Sequence, residues 1–591
     1  MLKTFLFESG LTVFPTQGPQ KGLNVASYRI PIKLDKRTHF WYLIAYILKN
    51  LSRGSVEIMA DITTFSALQT ACQASGTYSI GENITFAGSI SIPSGVTVKL
   101  SSDGGPFTLS STTANQRHFT VSGTLQLGNI VLDGGSTGSA GGGGIYAGTG
   151  GIVTLNSGAI LQNCYNSSHG GAVYLNGAAL TANGATFQNN ANGGYGAGVY
   201  GTSATVNTQN CTFVDNQAVN SGGGIYIITG AYSDTGSVFS NNSSGNYGGA
   251  AFLQDTTAPV AFNSTQFLAN QGSTAGGVSL TNYTVAMNQC IIEGNTSSGN
   301  AGGLLTYRGT TNTITGGSIS QNTAASYGGG ILFGGSGLGP SGVDDYLTLN
   351  GVSITNNSGA NGGGIAYLGS NDNNYFFTAT DVVFDQNQAS SGGGGICAVG
   401  GSSTTLQYLA TFKGSTAFTN NTATASGGGL YLSNLINATF QGIPITGNSA
   451  QNGAGYFLNS GTLTTDSATI ISSNTASQKG GGGYVAPQGI LYEKGATYAS
   501  NTSASGGGLY VAGGKGYVYG STVTQNITSA NGGGIYVDTS SFVFSKGLTL
   551  THNKSRLGKG GGAYVLGQFI TAEVEIHYNS AAVCGGGVCV E

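Results

Sequence analysis

The chain has 591 residues, 104 of them Gly and only 9 Pro, with 7% charged residues and a net charge of −3. An ordinary soluble domain carries roughly 25% charge, so this chain lacks the basic footprint of a nucleic-acid binder, and without a Gly-X-Y period it is not collagen. With 30 Tyr and 25 Phe it also has the apolar material for a core that a solvated disordered chain lacks.

Residues 1–58 differ from the rest, holding eight of the 19 Lys+Arg, the single Trp (Trp41) and only four Gly. Within them "FWYLIAYIL" (Phe40–Leu48) follows "KLDKR", the outline of a secretion leader without a small-residue cleavage site. The apolar run is too short for a transmembrane segment, which needs about 20 residues. A leader, a non-native start with translation from Met59, and a genuine extra segment all fit these residues.

Residues 59–140 read as an N-terminal cap and first coils. "TTFSALQTACQASG" (Thr63–Gly76) predicts a short amphipathic helix, with Thr64 as cap, Phe65, Leu68 and Cys72 on one face, and Gly76 as its end. "ITFAGSISIPSGVTVKL" and "HFTVSGTLQLGNIVLDGG" then alternate as strands. A helix over the first coil would cover an edge otherwise open to pairing.

From 141 to 591 one phrase recurs, with a period of about 26 residues. Its Asn falls at Asn163, Asn190, Asn216, Asn242, Asn270, Asn295, Asn322, Asn357, Asn387, Asn421, Asn448, Asn474, Asn501, Asn526, Asn553 and Asn579. An apolar residue stands three positions earlier (Phe187, Phe213, Phe239, Phe267 and so on to Ile576), and a glycine run follows five to seven residues later. Only the three gaps between Asn322 and Asn421 are markedly longer, and these are enlarged coils. A fixed period of this size defines a solenoid. Its units are rich in Thr, Val, Ile, Tyr, Phe, Gly and Asn, which makes two or three short strands per coil and hence a parallel β-helix. At roughly 4.8 Å per coil, sixteen coils span on the order of 75 Å. In such a stack, Asn should form an amide ladder at a turn, the residue at minus three should line the core, and the glycines should make a corner that a Cβ would crowd.

The pairing of F-x-x-N ("FQNN", "FVDN", "FSNN", "FLAN", "FDQN", "FTNN") with GG[AG]-[IVL] ("GGAVY", "GGGIY", "GGGIL", "GGGLY") resembles the polymorphic outer membrane proteins of chlamydiae and related β-helical adhesins. The resemblance covers roughly Gly141 to the end of the sequence. It implies an all-β fold: a single right-handed parallel β-helix, pectate-lyase-like, with the short capping helix at its N-terminus. It further implies a cell-surface or extracellular autotransporter-type passenger that acts in adhesion. The membrane barrel of that family is not seen in this sequence.

Two sets of residues are candidates for function. Tyr146, Tyr174, Tyr200 and Tyr226, then Tyr431, Phe457, Tyr484, Tyr510, Tyr536 and Tyr564, directly follow the glycine runs. Where the triplet reads "IYI" or "VYL", the flanking aliphatics alternate with Tyr, which predicts outward-facing rings. Two exposed aromatic stripes could stack on a glycan or seat a cell-surface protein, or stabilise neighbouring coils only. The second set is Asp344, Asp345, Asp372, Asp381 and Asp385, in or beside the enlarged coils 322–421. Asp345 and Asp372 lie one period apart and are expected to be near neighbours on adjacent coils. Such carboxylates could work as acid and base in a polysaccharide lyase or hydrolase, hold calcium, or simply solvate loop tips. No cofactor motif is present; calcium is the ion these loops would take. The seven Cys have no zinc spacing and read as buried packers. An adhesin-like rod without catalysis is the leading expectation, a polysaccharide-cleaving enzyme or a pure spacer the alternatives.

Overall fold

A computed structural model describes residues 61–102, 104–111, 113–136, 143–281, 284–307, 311–335, 343–466 and 468–591. The atypical segment 1–58, with Trp41, Met59 beyond it, and Gly141 at the start of the repeats lie outside the described residues.

The chain winds into a parallel β-solenoid of about 18 turns. At 4.7–4.9 Å between paired strands this is a rod on the order of 85 Å long. The turn beginning with Gly222 shows the plan. A first strand, Ile225–Ile228, leads to a second, Ala231–Thr235, a third, Val238–Ser240, and a two-residue fourth, Ser243–Ser244. Each pairs in parallel with its equivalent one turn on: Ile225 with Ala251, Val238 with Gln266, Ser243 with Gln271. Four columns of strands therefore run along the rod. The short fourth strand, directly after the ladder Asn, is one more than the sequence pattern displayed. The pairing is continuous with the first coils, since Arg117–Val121 pairs with Gly143–Ala147.

The core is one continuous cluster along the axis. In the third column Phe187, Phe213 and Phe239 lie flat on one another, with ring centroids 4.5 Å apart and planes within 1°. That spacing is set by the hydrogen-bonded backbone, so identical residues in register stack without adjustment. The helix Phe65–Ala71 is capped by the Thr64 hydroxyl, which accepts from Ala67 N at 3.3 Å. Leu68 and Cys72 are buried beneath it and Phe65 meets the Phe86 ring edge-on at 5.3 Å. The helix stops at Ala71 with Cys72 as its C-cap, and Gly76 instead opens the first strand.

Asparagine forms the expected ladder, from Asn190 to Asn579. Asn216 donates through Nδ2 to Phe187 O at 2.9 Å and to Asn242 Oδ1 at 2.9 Å, and its own Oδ1 accepts from Asn190 N and Nδ2. All four hydrogen-bonding positions of the amide are thereby used. Asn163 does not belong to the column. Leu161, not Ile160, pairs with Phe187, so Cys164 occupies the ladder position and donates from its N–H to Asn190 Oδ1 at 3.1 Å. The residue before each ladder Asn turns the corner in the left-handed region, as at Asp215 (φ 56°), Asn241 (54°) and Ala269 (54°).

The glycine corner is required by space as well as by conformation. Gly222 has φ 68°, while a Cβ on Gly223 would lie 2.3 Å from Gly249 O and 2.5 Å from Ser243 O. Among the described residues no helix is long and apolar enough to cross a membrane.

Candidate functional site

The outer face of the first column carries the aromatic residues. Tyr146, Tyr174, Tyr200, Tyr226 and Phe252 form one run, with successive centroids 5.2, 5.0, 5.5 and 5.1 Å apart. Tyr431, Phe457, Tyr484, Tyr510, Tyr536 and Tyr564 form a second, at 5.5, 4.6, 5.4, 4.4 and 5.1 Å. Their aliphatic neighbours, such as Ile225 and Ile227, are fully buried in the core, so the rings do point away from it.

They are not exposed stripes, however. Tyr226, Tyr510 and Tyr564 are buried, and the remaining tyrosines of the two runs are half-buried. A second row covers them, made by the residue just before each glycine corner. The corner brings this residue back against an aromatic ring of its own turn or of the next. His169 stacks on Tyr200 of the next turn at 4.6 Å and meets Tyr174 edge-on at 6.1 Å, Tyr195 lies 4.9 Å from Tyr226 in the next turn, and Tyr247 stacks on Phe252, five residues on, at 5.3 Å. Between the two runs the same face is mainly aliphatic, with Ala275 and Ala301 packed with Leu305 and Leu332, and Tyr327 against them. The second row was not foreseen. Its sequence signal is the residue ahead of the glycines in "HGGA", "YGAG" and "YGGA".

In the second row Ser221 stands between Tyr195 and Tyr247. A small residue between two rings leaves a cleft of about 190 Å³, lined by Tyr195, Asn220, Ser221, Tyr226, Asn246, Tyr247, Phe252, Gln254 and Thr281. Its polar groups are amides and hydroxyls; no charged side chain lines it. Tyr226 Oη donates to Gln254 Oε1 at 3.1 Å. Thr281 is 3% exposed and its hydroxyl has no hydrogen-bond partner. A buried unsatisfied hydroxyl costs roughly 1–3 kcal/mol, so its presence beside an open cleft is informative.

At the head of the first run Arg117 donates to Gly170 O and, at 2.7 Å, to His169 O, with its guanidinium 5.9 Å from the Tyr174 ring. Burial pulls its pKa down to about 10. In the second run Tyr510 donates to Asp538 Oδ2 at 2.8 Å and Tyr564 to Glu591 Oε2 at 2.6 Å, so those hydroxyls are engaged.

The five aspartates fall into two groups. The three enlarged coils all lengthen at one seam, between the first and second columns. There Tyr408 donates to Ser370 O at 2.8 Å and Ser402 N donates to Asn371 Oδ1 at 2.7 Å, lacing neighbouring loops together. Asp344 at this seam accepts from Asn374 Nδ2 at 2.8 Å, and Asp345 is fully buried at the head of its strand. The register sets Asp345 opposite Tyr375, not Asp372, which is exposed three residues earlier in the loop. Asp381 and Asp385 lie at the other end of the second column and on the third. Asp381 accepts from Ser415 N (2.7 Å) and Oγ (2.9 Å), bonds that hold its carboxyl below the usual range. Asp385 accepts from Thr419 Oγ1 at 2.6 Å and Asn420 Nδ2 at 2.9 Å. Among the described residues no three His, Cys, Asp or Glu side chains gather as a metal-holding group.

A parallel β-solenoid with a buried amide ladder and an aromatic outer face is the class of protein these features define. Three stretches, 210–228, 381–399 and 415–433, match the model of the Chlamydia polymorphic membrane protein repeat. This is the family that its F-x-x-N and glycine motifs resemble. Each matched stretch spans the third and fourth strands, the ladder Asn, the glycine corner and the first strand of the following turn. No curated protein and no solved structure matches the chain.

Proposed function

We propose that this chain is an adhesin-like rod at the cell surface, of the autotransporter-passenger kind, and that it binds a neutral glycan in the cleft at Ser221 without chemical change. The repeat family and the solenoid support a surface or outer-membrane setting. The observation that carries the ligand class is the cleft itself, aromatic on its floor and walls, lined with amides and hydroxyls, and free of lining charge. Sugar rings stack on aromatic faces through their C–H surface while their hydroxyls exchange hydrogen bonds with side-chain amides. The unpartnered Thr281 hydroxyl offers one such bond in a place shielded from water.

The test is binding of the purified full chain to an array of neutral and acidic oligosaccharides, followed by titration of those retained. Neutral oligosaccharides are expected to bind. Ser221→Tyr, which continues the second row and fills the gap, should weaken binding at least about tenfold in a chain that still melts cooperatively. Thr281→Val should weaken it by a smaller factor, on the order of one hydrogen bond, about 1 kcal/mol. An array on which only acidic glycans bind, or a Ser221→Tyr chain that binds as well as the parent, would overturn the reading.

A further inference from the structure

Among the seven cysteines, Cys72, Cys164, Cys211, Cys290 and Cys397 are buried singly along the core and the first column. Burial pushes the Cys72, Cys164 and Cys397 thiols up to about 12, which leaves them protonated and inert as nucleophiles. Cys584 and Cys589 are placed differently. Cys584 is exposed and precedes the glycine corner that begins at Gly585 (φ 61°). Cys589 lies on the strand Val588–Val590, paired with Tyr564 of the turn before. Cys584 is therefore in the second row and Cys589 in the aromatic row, five residues apart. This is the relation that lays Tyr247 over Phe252. Here it brings two thiols together, with Sγ atoms 2.8 Å apart.

We propose that Cys584 and Cys589 are an oxidation site, closed to an intrachain disulfide by exchange with a small-molecule disulfide such as glutathione disulfide. The exposed Cys584 thiolate attacks one sulfur of that reagent, forming a mixed disulfide and releasing one small thiolate. Cys589 then gives up its proton, attacks the Cys584 sulfur and expels the second small thiolate. The two protons lost by the cysteines end on the two released thiols. Two protein thiols are oxidised to one S–S bond and one small disulfide is reduced to two thiols. The approach is built by the corner, so closure asks for no displacement of the ladder. The closed ring clamps Gly585–Gly587 to the outer face of the rod. Such a bond persists in an oxidising, extracytoplasmic setting, but its chemistry is independent of what the cleft binds.

The experiment treats the reduced, folded full chain with glutathione disulfide, blocks remaining thiols with N-ethylmaleimide after unfolding, and maps the peptides by mass. The expected product has lost two hydrogens within the peptide that contains both Cys584 and Cys589, and the other five cysteines all carry the maleimide. A Cys584→Ser chain should show no loss and carry the maleimide at Cys589. A glutathione adduct that stays on Cys584, a disulfide between chains, a bond to any other cysteine, or seven free thiols would each overturn the proposal.

Discussion

The side-chain amide of Asn216 donates to Asn242 Oδ1 at 2.9 Å, and the Asn216 backbone N–H donates to that same oxygen at 3.1 Å. One buried oxygen thus closes two bonds from the turn before, and the pattern repeats along the rod. Removing one rung leaves unpaired groups on both sides of it. In Asn421→Ala the Asn387 N–H and Nδ2 lose their acceptor, and Phe384 O and Asn448 Oδ1 each lose a donor. At roughly 1–3 kcal/mol per buried unsatisfied group, the local cost should reach about 4 kcal/mol. Because each turn of a solenoid answers mainly to its neighbours, faster amide exchange should concentrate in the turns that hold Asn387, Asn421 and Asn448. Asn579→Ala, with only one ladder neighbour, should cost clearly less. Equal losses at both sites would contradict this account of the ladder.

Ala269 turns its corner at φ 54°, where a Cβ crowds the backbone at a cost of roughly 1–2 kcal/mol. Part of that is recovered with Gly, which in turn loses more freedom on folding. Ala269→Gly should therefore raise stability by about 0.5–1 kcal/mol in denaturant unfolding. A drop would mean that the methyl makes contacts worth more than the strain.

Glu493 is 1% exposed inside the core, where Tyr498 donates to its Oε1 and Tyr456 Oη lies 2.6 Å from Tyr498 Oη. Burial pushes its carboxyl up to about 7, against a smaller opposing effect of the Tyr498 bond. The folded chain holds this proton between about pH 4.5 and 7 while the unfolded chain releases it. Its contribution is therefore full below about pH 4.5 and is lost as pH rises towards 7, by roughly 3 kcal/mol in all. Glu493→Gln, neutral throughout, should flatten that part of the stability profile, read as the denaturation midpoint at pH 5 against pH 8. A profile unchanged by the substitution would place the titration elsewhere.

Gly223→Ala would set a methyl 2.3 Å from the carbonyl oxygen of Gly249 in the next turn and 2.5 Å from that of Ser243 in its own. Neither can rotate aside, so the turns must part, and a loss of about 3 kcal/mol or more is expected. Gly104, with nothing within 4 Å of its Cβ position, should accept Ala within about 0.5 kcal/mol. Thermal melts of the two variants side by side make the comparison.

Most of the architecture was legible because register makes neighbouring turns into copies of one another. The Phe column, the Asn ladder and the glycine corner each had to repeat at one spacing. What escaped was carried by geometry that leaves no repeated letter. Cys164 holds a ladder position through its backbone N–H alone, so the adjacent Asn163 looked like the rung. The left-handed position before the ladder is filled by Asp215, Ala269, Gln386 and Tyr578 alike, and composition there says nothing. Alternation correctly turned Tyr226 away from the core. It could not reveal that the chain returns across the corner to lay Tyr195 beside it, nor that Ser221 interrupts that cover. For Asp345 and Asp372 the one-period separation is not the strand register: extra loop residues place Tyr375 opposite Asp345, while Asn373, next to Asp372, reaches the Asp345 carboxylate at 3.4 Å.

The seam where the three enlarged coils lengthen has a further meaning. The three devices repeated in every turn, the ladder, the stacked Phe rings and the glycine corner, lie on the other sides of the rod. Residues added between the first and second strands leave each of those contacts in phase, as the unbroken ladder through Asn322, Asn357, Asn387 and Asn421 demonstrates. The molecule therefore has a margin that takes longer loops, and a spine that keeps its pitch beside them.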